Sequence, residues 1–157
     1  MSRGIGASIA RLLGANGYRV CVNYSANGAA ADEVVSDIAR DDGTALSVQA
    51  DVGDPDAVAA LFDTVDRELG PLTALVNSFA RGLSQEVAGE GIRVNTVSPG
   101  PTRTDMVDGD QIDAMAAAMP MGRIGEPDEI AEVVLWLLSE QASFVAGATI
   151  RAAGGRP

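Results

Sequence analysis

Apolar residues along this chain keep changing their spacing, from every third or fourth residue to short continuous runs and back. That alternation limits the available folds more than any other feature. Ile5, Ile9, Leu12 and Leu13 fall on one helical face, and Gly14 with Gly17 supply a stop. A strand is then predicted over 18–24. Val34, Val35 and Ile38 stripe a second helix that ends near Asp41-Asp42-Gly43, followed by a strand over 45–50. Asp54-Pro55 pairs a capping residue with a proline at the first helical position, opening a helix whose Val58, Leu61, Phe62, Val65 and Leu69 share a face. Gly70-Pro71 ends it before an apolar run, Leu72-Thr73-Ala74-Leu75-Val76-Asn77, that reads as a buried strand. Beyond lie the tail of a helix reaching Ala88, a strand over 92–97, a Pro99-Gly100-Pro101 loop and a helix over 111–119. A helix from Glu126-Pro127 carrying Ile130, Val133, Val134 and Leu137, and a last strand over 148–150, complete the series. Strands alternating with helices predict an α/β fold, a doubly wound parallel sheet with helices on both faces. Trp136 and the neighbouring valines are expected in its core.

With 157 residues, 46% of them hydrophobic, and neither an internal repeat nor a low-complexity linker, the chain is expected to form one domain over 1–157. All eleven basic residues are arginine, against 22 Asp and Glu, giving a net charge of -11. Long-range attraction to nucleic acid or to an anionic membrane is therefore disfavoured, and an anionic ligand needs a local basic or amide-lined site. The single cysteine, Cys21, lies in an apolar run and reads as a small core residue of a protein in a reducing, cytoplasmic compartment. No apolar run approaches the roughly eighteen residues that span a bilayer. Three arginines without an acid in the first 22 residues do not make a transit peptide, because Arg11, Asn16 and Gly17 interrupt the apolar stretch.

With no histidine and one cysteine, a serine triad, a histidine-based metal site and a thiolate zinc site are excluded. The acidic runs Asp41-Asp42 and Asp105 to Asp110 read as solvated loop charge, so no metal is expected. Ser2-Arg3-Gly4-Ile5-Gly6 opens directly into a helix, where glycines allow close backbone approach to a pyrophosphate and the free amides bind its charge. A glycine-rich helix start explains those residues equally well without a ligand. The strand before position 25 ends Asn23-Tyr24-Ser25, with no acid to take the ribose hydroxyls of NAD. Asp51-Val52 follows the next strand, at the sheet edge where dinucleotides bind, although Asp51 to Pro55 is also an ordinary turn into a capped helix.

These motifs resemble the short-chain dehydrogenase/reductase family over essentially the whole chain, in two blocks, 1–78 and 79–157. The match rests on Gly4-Ile5-Gly6, Asp51-Val52, Leu75-Val76-Asn77 and above all the run from Ile92 through Asn95, Pro99, Gly100, Thr102 and Thr104 to Met106. The resemblance implies a Rossmann-like fold and an oxidoreductase passing hydride between a nicotinamide cofactor and a small-molecule carbonyl or alcohol. It assigns cofactor contacts to Arg3, Gly4, Ile5, Gly6, Asn23, Tyr24, Ser25, Asp51, Val52, Asn77, Pro99, Gly100, Thr102 and Thr104. With Arg3 available for a 2'-phosphate, it favours NADP over NAD. The segments Met121 to Ala131 and Gly147 to Gly155 also match, and in the family such regions meet across a two-fold axis. A homo-oligomer through the helix over 127–138 and the last strand is therefore implied.

The sequence departs from the family in two places. It opens inside the glycine motif, without the strand and first glycine that precede Ser2 in the family. Between Asn77 and Leu83 it passes from strand to helix tail without the family's catalytic Ser and Tyr-x-x-x-Lys, and no lysine occurs anywhere. Neither Tyr18 nor Tyr24 stands in the required helix, and no Tyr-x-x-x-Arg replaces the motif. No catalytic residue is therefore assigned, and the sheet is expected to be incomplete. Three functions stay open: an oxidoreductase whose catalytic segment lies outside this sequence, a dinucleotide-binding protein without catalysis, and a structural element pairing with itself or a full-length relative.

Overall fold

A computed structural model describes residues 3–76 and 87–156. The described chain divides into two compact units, Met1–Leu75 and Val76–Pro157.

In the first unit, α1 (Gly4–Ala15) leads through a tight turn into β1 (Val20–Tyr24), α2 (Gly28–Arg40), β2 (Ala45–Gln49) and α3 (Pro55–Leu69). β1 and β2 pair in parallel, from Val20 opposite Ala45 to Tyr24 opposite Gln49. β1 starts two residues later than its apolar run because Gly17 and Tyr18 still donate to the Gly14 and Leu13 carbonyls and finish α1. Ile9, Ala10 and Leu13 of α1, Val20 and Val22 of β1, and Ala31, Val34 and Ile38 of α2 make the core, with Val65 and Leu69 from α3. Gly14 has a packing role. A Cβ there would lie 2.6 Å from Ile38 Cγ2, so α1 and α2 approach as closely as they do only without one.

The second unit contains a 3₁₀ turn (Ala88–Glu90), β3 (Thr96–Pro99), α4 (Gly109–Ala117), α5 (Pro127–Leu138), a 3₁₀ turn (Glu140–Ala142) and β4 (Thr149–Ala152). β3 and β4 are again parallel, from Thr96 opposite Thr149 to Pro99 opposite Ala152. α5 buries Ile130, Ala131, Val134 and Leu137, and Met119, Ile124 and Ala142 pack in the same unit. The α/β class and parallel pairing follow the expected pattern.

Three local expectations fail. Residues 72–76 form no strand: Leu72 is exposed and Leu75 is 64% exposed. A strand needs a ladder partner as well as an apolar run, and none of the described residues pairs with this one. The strand expected over 92–97 begins only at Thr96 and runs through Pro99, which was expected in a loop. Ahead of Thr96 its partner turns away at Gly147 (φ 73°), leaving Val94 one isolated bond from the Gly147 amide. Trp136 is not in the core. It is 39% exposed, on the opposite side of α5 from the buried stripe, while Val133 is half-buried.

Candidate functional site

α1 begins with no acceptor of its own making. Arg3 occupies the N-cap in extended conformation without a side-chain cap bond, and the first turn contains no acid. Intrahelical bonding starts with the Ala7 amide donating to the Arg3 carbonyl, so the amides of Gly4, Ile5 and Gly6 precede the helical ladder. α2 and α3 differ. Asn27 accepts from the Ala30 amide at 3.1 Å, and Asp54 accepts from the Asp56 amide at 3.0 Å. A helix start lined with glycine, free of carboxylate and flanked by an arginine suits an anion.

The ends of β1 and β2 are tied together. Asn23 Nδ2 donates to the carbonyls of Val48 (3.3 Å) and Ala50 (3.0 Å), so its amide group braces the neighbouring strand. The Tyr24 carbonyl accepts from the Ala50 amide at 3.0 Å, and the Ser25 carbonyl accepts from Gln49 Nε2 at 2.9 Å. Asp51 Oδ1 accepts from the Gly53 amide at 2.9 Å, closing a side-chain turn, and Val52 stands out into solvent. Because α1 turns straight back into β1, its N-terminus lies toward the carboxyl end of that strand. Because β1 and β2 are parallel, residues 23–25 and 51–52 stand at the same, carboxyl end of that pair.

In the second unit, Pro99, Gly100, Thr102 and Thr104 leave the carboxyl end of β3. The Gly100 amide donates to the Ala152 carbonyl at 2.9 Å, and a Cβ on Gly100 would sit 2.7 Å from Ala153 Cα. Thr102 is 7% exposed, and its hydroxyl donates to the Gly100 carbonyl at 2.9 Å. A bridge to Gly125 holds the segment from its other side. The Gly125 amide donates to the Pro101 carbonyl at 2.9 Å, and the Arg103 amide donates to the Gly125 carbonyl at 2.8 Å. The Thr104 carbonyl accepts from the Val107 amide. Asn77, and with it the junction at 77–83, lies outside the described residues.

A charged ladder backs this segment. Both terminal nitrogens of Arg123 donate to Glu129, at 2.7 and 2.6 Å, and Glu129 Oε2 also accepts from the Glu126 amide at 2.8 Å. Arg103 Nε donates to Glu126 Oε1 at 2.9 Å. The Arg123 hydrogen bonds and the Glu126 amide hold the Glu129 carboxyl at about 2 and raise Arg123 in turn. In the first unit, bonds from Arg11 and then Arg40 lower Asp37, while burial raises the Cys21 thiol.

Four residues lie within the matching runs of the sequence but receive no individual role there. Arg93 Nη1 donates to the Leu137 carbonyl at 2.6 Å and so closes the end of α5. Asn95 Nδ2 donates to the Val145 carbonyl at 2.8 Å, and its Oδ1 accepts from the Ala148 amide at 3.0 Å. Both residues brace the approach to β4. Arg123 and Glu129 are the other two. A signal for Glu129 was available, since Glu126 and Glu129 are spaced as a capping box around Pro127.

Residues 1–79 match the short chain dehydrogenase model, and residues 74–156 match the model described as Enoyl-(Acyl carrier protein) reductase. The chain belongs to the short-chain dehydrogenase/reductase family, whose members are NAD(P)-dependent oxidoreductases. An uncharacterized oxidoreductase of Escherichia coli is 30% identical over 238 residues, spanning 99% of this chain and 96% of that protein. An acetoacetyl-CoA reductase of Cupriavidus necator is 45% identical over 83 residues, covering 51% of this chain and 34% of the relative. A dehydrogenase/reductase from Sinorhizobium meliloti shares the fold with a TM-score of 0.89 at 26% identity, covering 98% of this chain and 91% of its own. The 238 residues matched in the E. coli relative exceed the 157 of this chain, so at least 81 aligned positions have no counterpart here.

No helix among the described residues is long and apolar enough to cross a membrane.

Proposed function

We propose that this chain binds a nicotinamide dinucleotide, NADP in preference to NAD, and does not catalyse hydride transfer by the family's Tyr-Lys route. The observation that carries the second half is the absence of any lysine, together with two tyrosines, Tyr18 and Tyr24, that bracket β1. The family reaction needs a Tyr proton donor acidified by a lysine ammonium beside it. An arginine differs from lysine in geometry, and no Tyr-x-x-x-Arg occurs in the sequence.

The binding half rests on donor chemistry. The uncapped glycine turn at α1 offers amides to a pyrophosphate, and Arg3 beside it offers charge to a 2'-phosphate. Asn23, Tyr24 and Ser25 present no carboxylate, which leaves a phosphate unopposed at the adenosine ribose. Asp51 and Val52 flank the adenine side, and Pro99, Gly100, Thr102 and Thr104 offer backbone and hydroxyl groups to the carboxamide. Asn77 belongs to the same set. The bound cofactor would carry a hydride, while the chain's own residues bind and orient it in a reducing cytoplasmic setting.

Titrating NADPH into the purified protein and following its fluorescence tests this. Saturable binding with weaker affinity for NADH is expected, with no loss of NADPH absorbance when ketone substrates are added. Absence of binding at millimolar NADPH removes the binding claim, and turnover removes the claim of inactivity.

A second reading, a pairing element acting through α5 and β4, is favoured by the exposure of Trp136 and of Phe144 just beyond α5. Sedimentation of the chain alone and with a full-length relative separates it, since only this reading expects a mixed assembly.

A further inference from the structure

Among the described residues, Glu129 accepts three hydrogen bonds at once from two residues, and both residues lead to the segment carrying Thr102. Its carboxylate takes both terminal nitrogens of Arg123 and the Glu126 amide, and Glu126 in turn takes Arg103. Arg123 lies two residues before Gly125, whose amide and carbonyl form the bridge to Pro101 and Arg103. The chain around Thr102 is therefore gripped twice, through main chain at Gly125 and through side chain at Arg103. Glu129 sits at the first turn of α5, a rigid element, and both grips run back to it.

We propose that Glu129 is a positioning residue for residues 101–104, fixing the Thr102 segment against α5 and so tuning dinucleotide affinity without touching the dinucleotide. The affinity part rests on the binding reading above; the positioning part does not. A bidentate arginine pair fixes direction as well as distance, and one carboxylate that also caps a helix cannot shift without releasing both functions. The pair is exposed, so its contribution lies in geometry more than in global stability.

Residue-resolved amide exchange tests the positioning. In Glu129→Ala, exchange at the Arg103 and Gly125 amides is expected to rise about tenfold, as loss of a cap and its ion pair would produce. The Thr96 and Gly100 amides of the β3–β4 ladder, one turn of chain away, should stay unchanged. Glu129→Gln keeps an acceptor for the Glu126 amide and should rescue part of the effect; it also serves if the alanine variant does not fold. NADPH affinity should weaken by about the same factor as the exchange rises, if both read one opening equilibrium. Unchanged exchange at Arg103 and Gly125, or an equal rise at all four amides, overturns the positioning role. If the unaltered chain binds no NADPH, the binding reading falls and the exchange result decides the positioning by itself.

Discussion

Gly100 occupies a position where chemistry and packing coincide, at the end of β3 with Ala153 backbone against its missing Cβ. Its φ is ordinary, so the constraint is space. Gly100→Ala should push β4 from β3 and lower stability by about 1–3 kcal/mol, read as a fall in the urea midpoint. Glu129 makes a different prediction at this scale. Its folded pKa of about 2 lies below the ordinary 4.5, so the stabilisation it brings is present above pH 4.5 and is lost as pH falls toward 2. Thermal midpoints of the unaltered chain and of Glu129→Gln should therefore differ near neutrality and converge at the acid end. A constant gap across that range would contradict the ion-pair account.

Helix starts here differ in how they are satisfied. α2, α3 and α5 carry side-chain caps, α1 and α4 do not, and of those two only α1 opens on the motif the family uses for a pyrophosphate. The far end of α5 depends on Arg93, which reaches 44 residues along the chain to the Leu137 carbonyl. Arg93→Ala should cost about 1.5–3 kcal/mol, the usual range for a hydrogen bond to a charged group, measured by chemical denaturation. The helices were legible because periodicity, Asp54-Pro55 and Glu126-Pro127 all mark local events. Strands were legible only in part. The run Leu72 to Val76 has strand composition and no ladder, and residues 92–95 lose their regular partner at the Gly147 turn.

At the scale of the molecule, the proposed contacts are residues 3–52 in the first unit, and Asn77 with the loop at 99–104 in the second. NADPH at a hundredfold excess over its dissociation constant should raise the unfolding free energy of the whole chain by about 2.7 kcal/mol, seen as a higher thermal midpoint. Each described sheet has two strands, and Leu75, Met106 and Phe144 are exposed. Sheets of two strands among the described residues, with apolar surface beside them, favour association between chains, so sedimentation should show species that grow with concentration.

The amino-acid sequence by itself determined the α/β class, most helix starts, the family and the absence of lysine from these 157 residues. Those properties depend on residue identity and on spacing within a few turns of chain. Only the tertiary structure decided which apolar runs become strands, that Trp136 faces outward, and that Asn23, Arg93 and Asn95 act as braces. It also decided that Glu129 ties Arg123 to the start of α5. Pairing, exposure and side-chain reach depend on partners tens of residues away, and local spacing carries no information about where those partners come to rest.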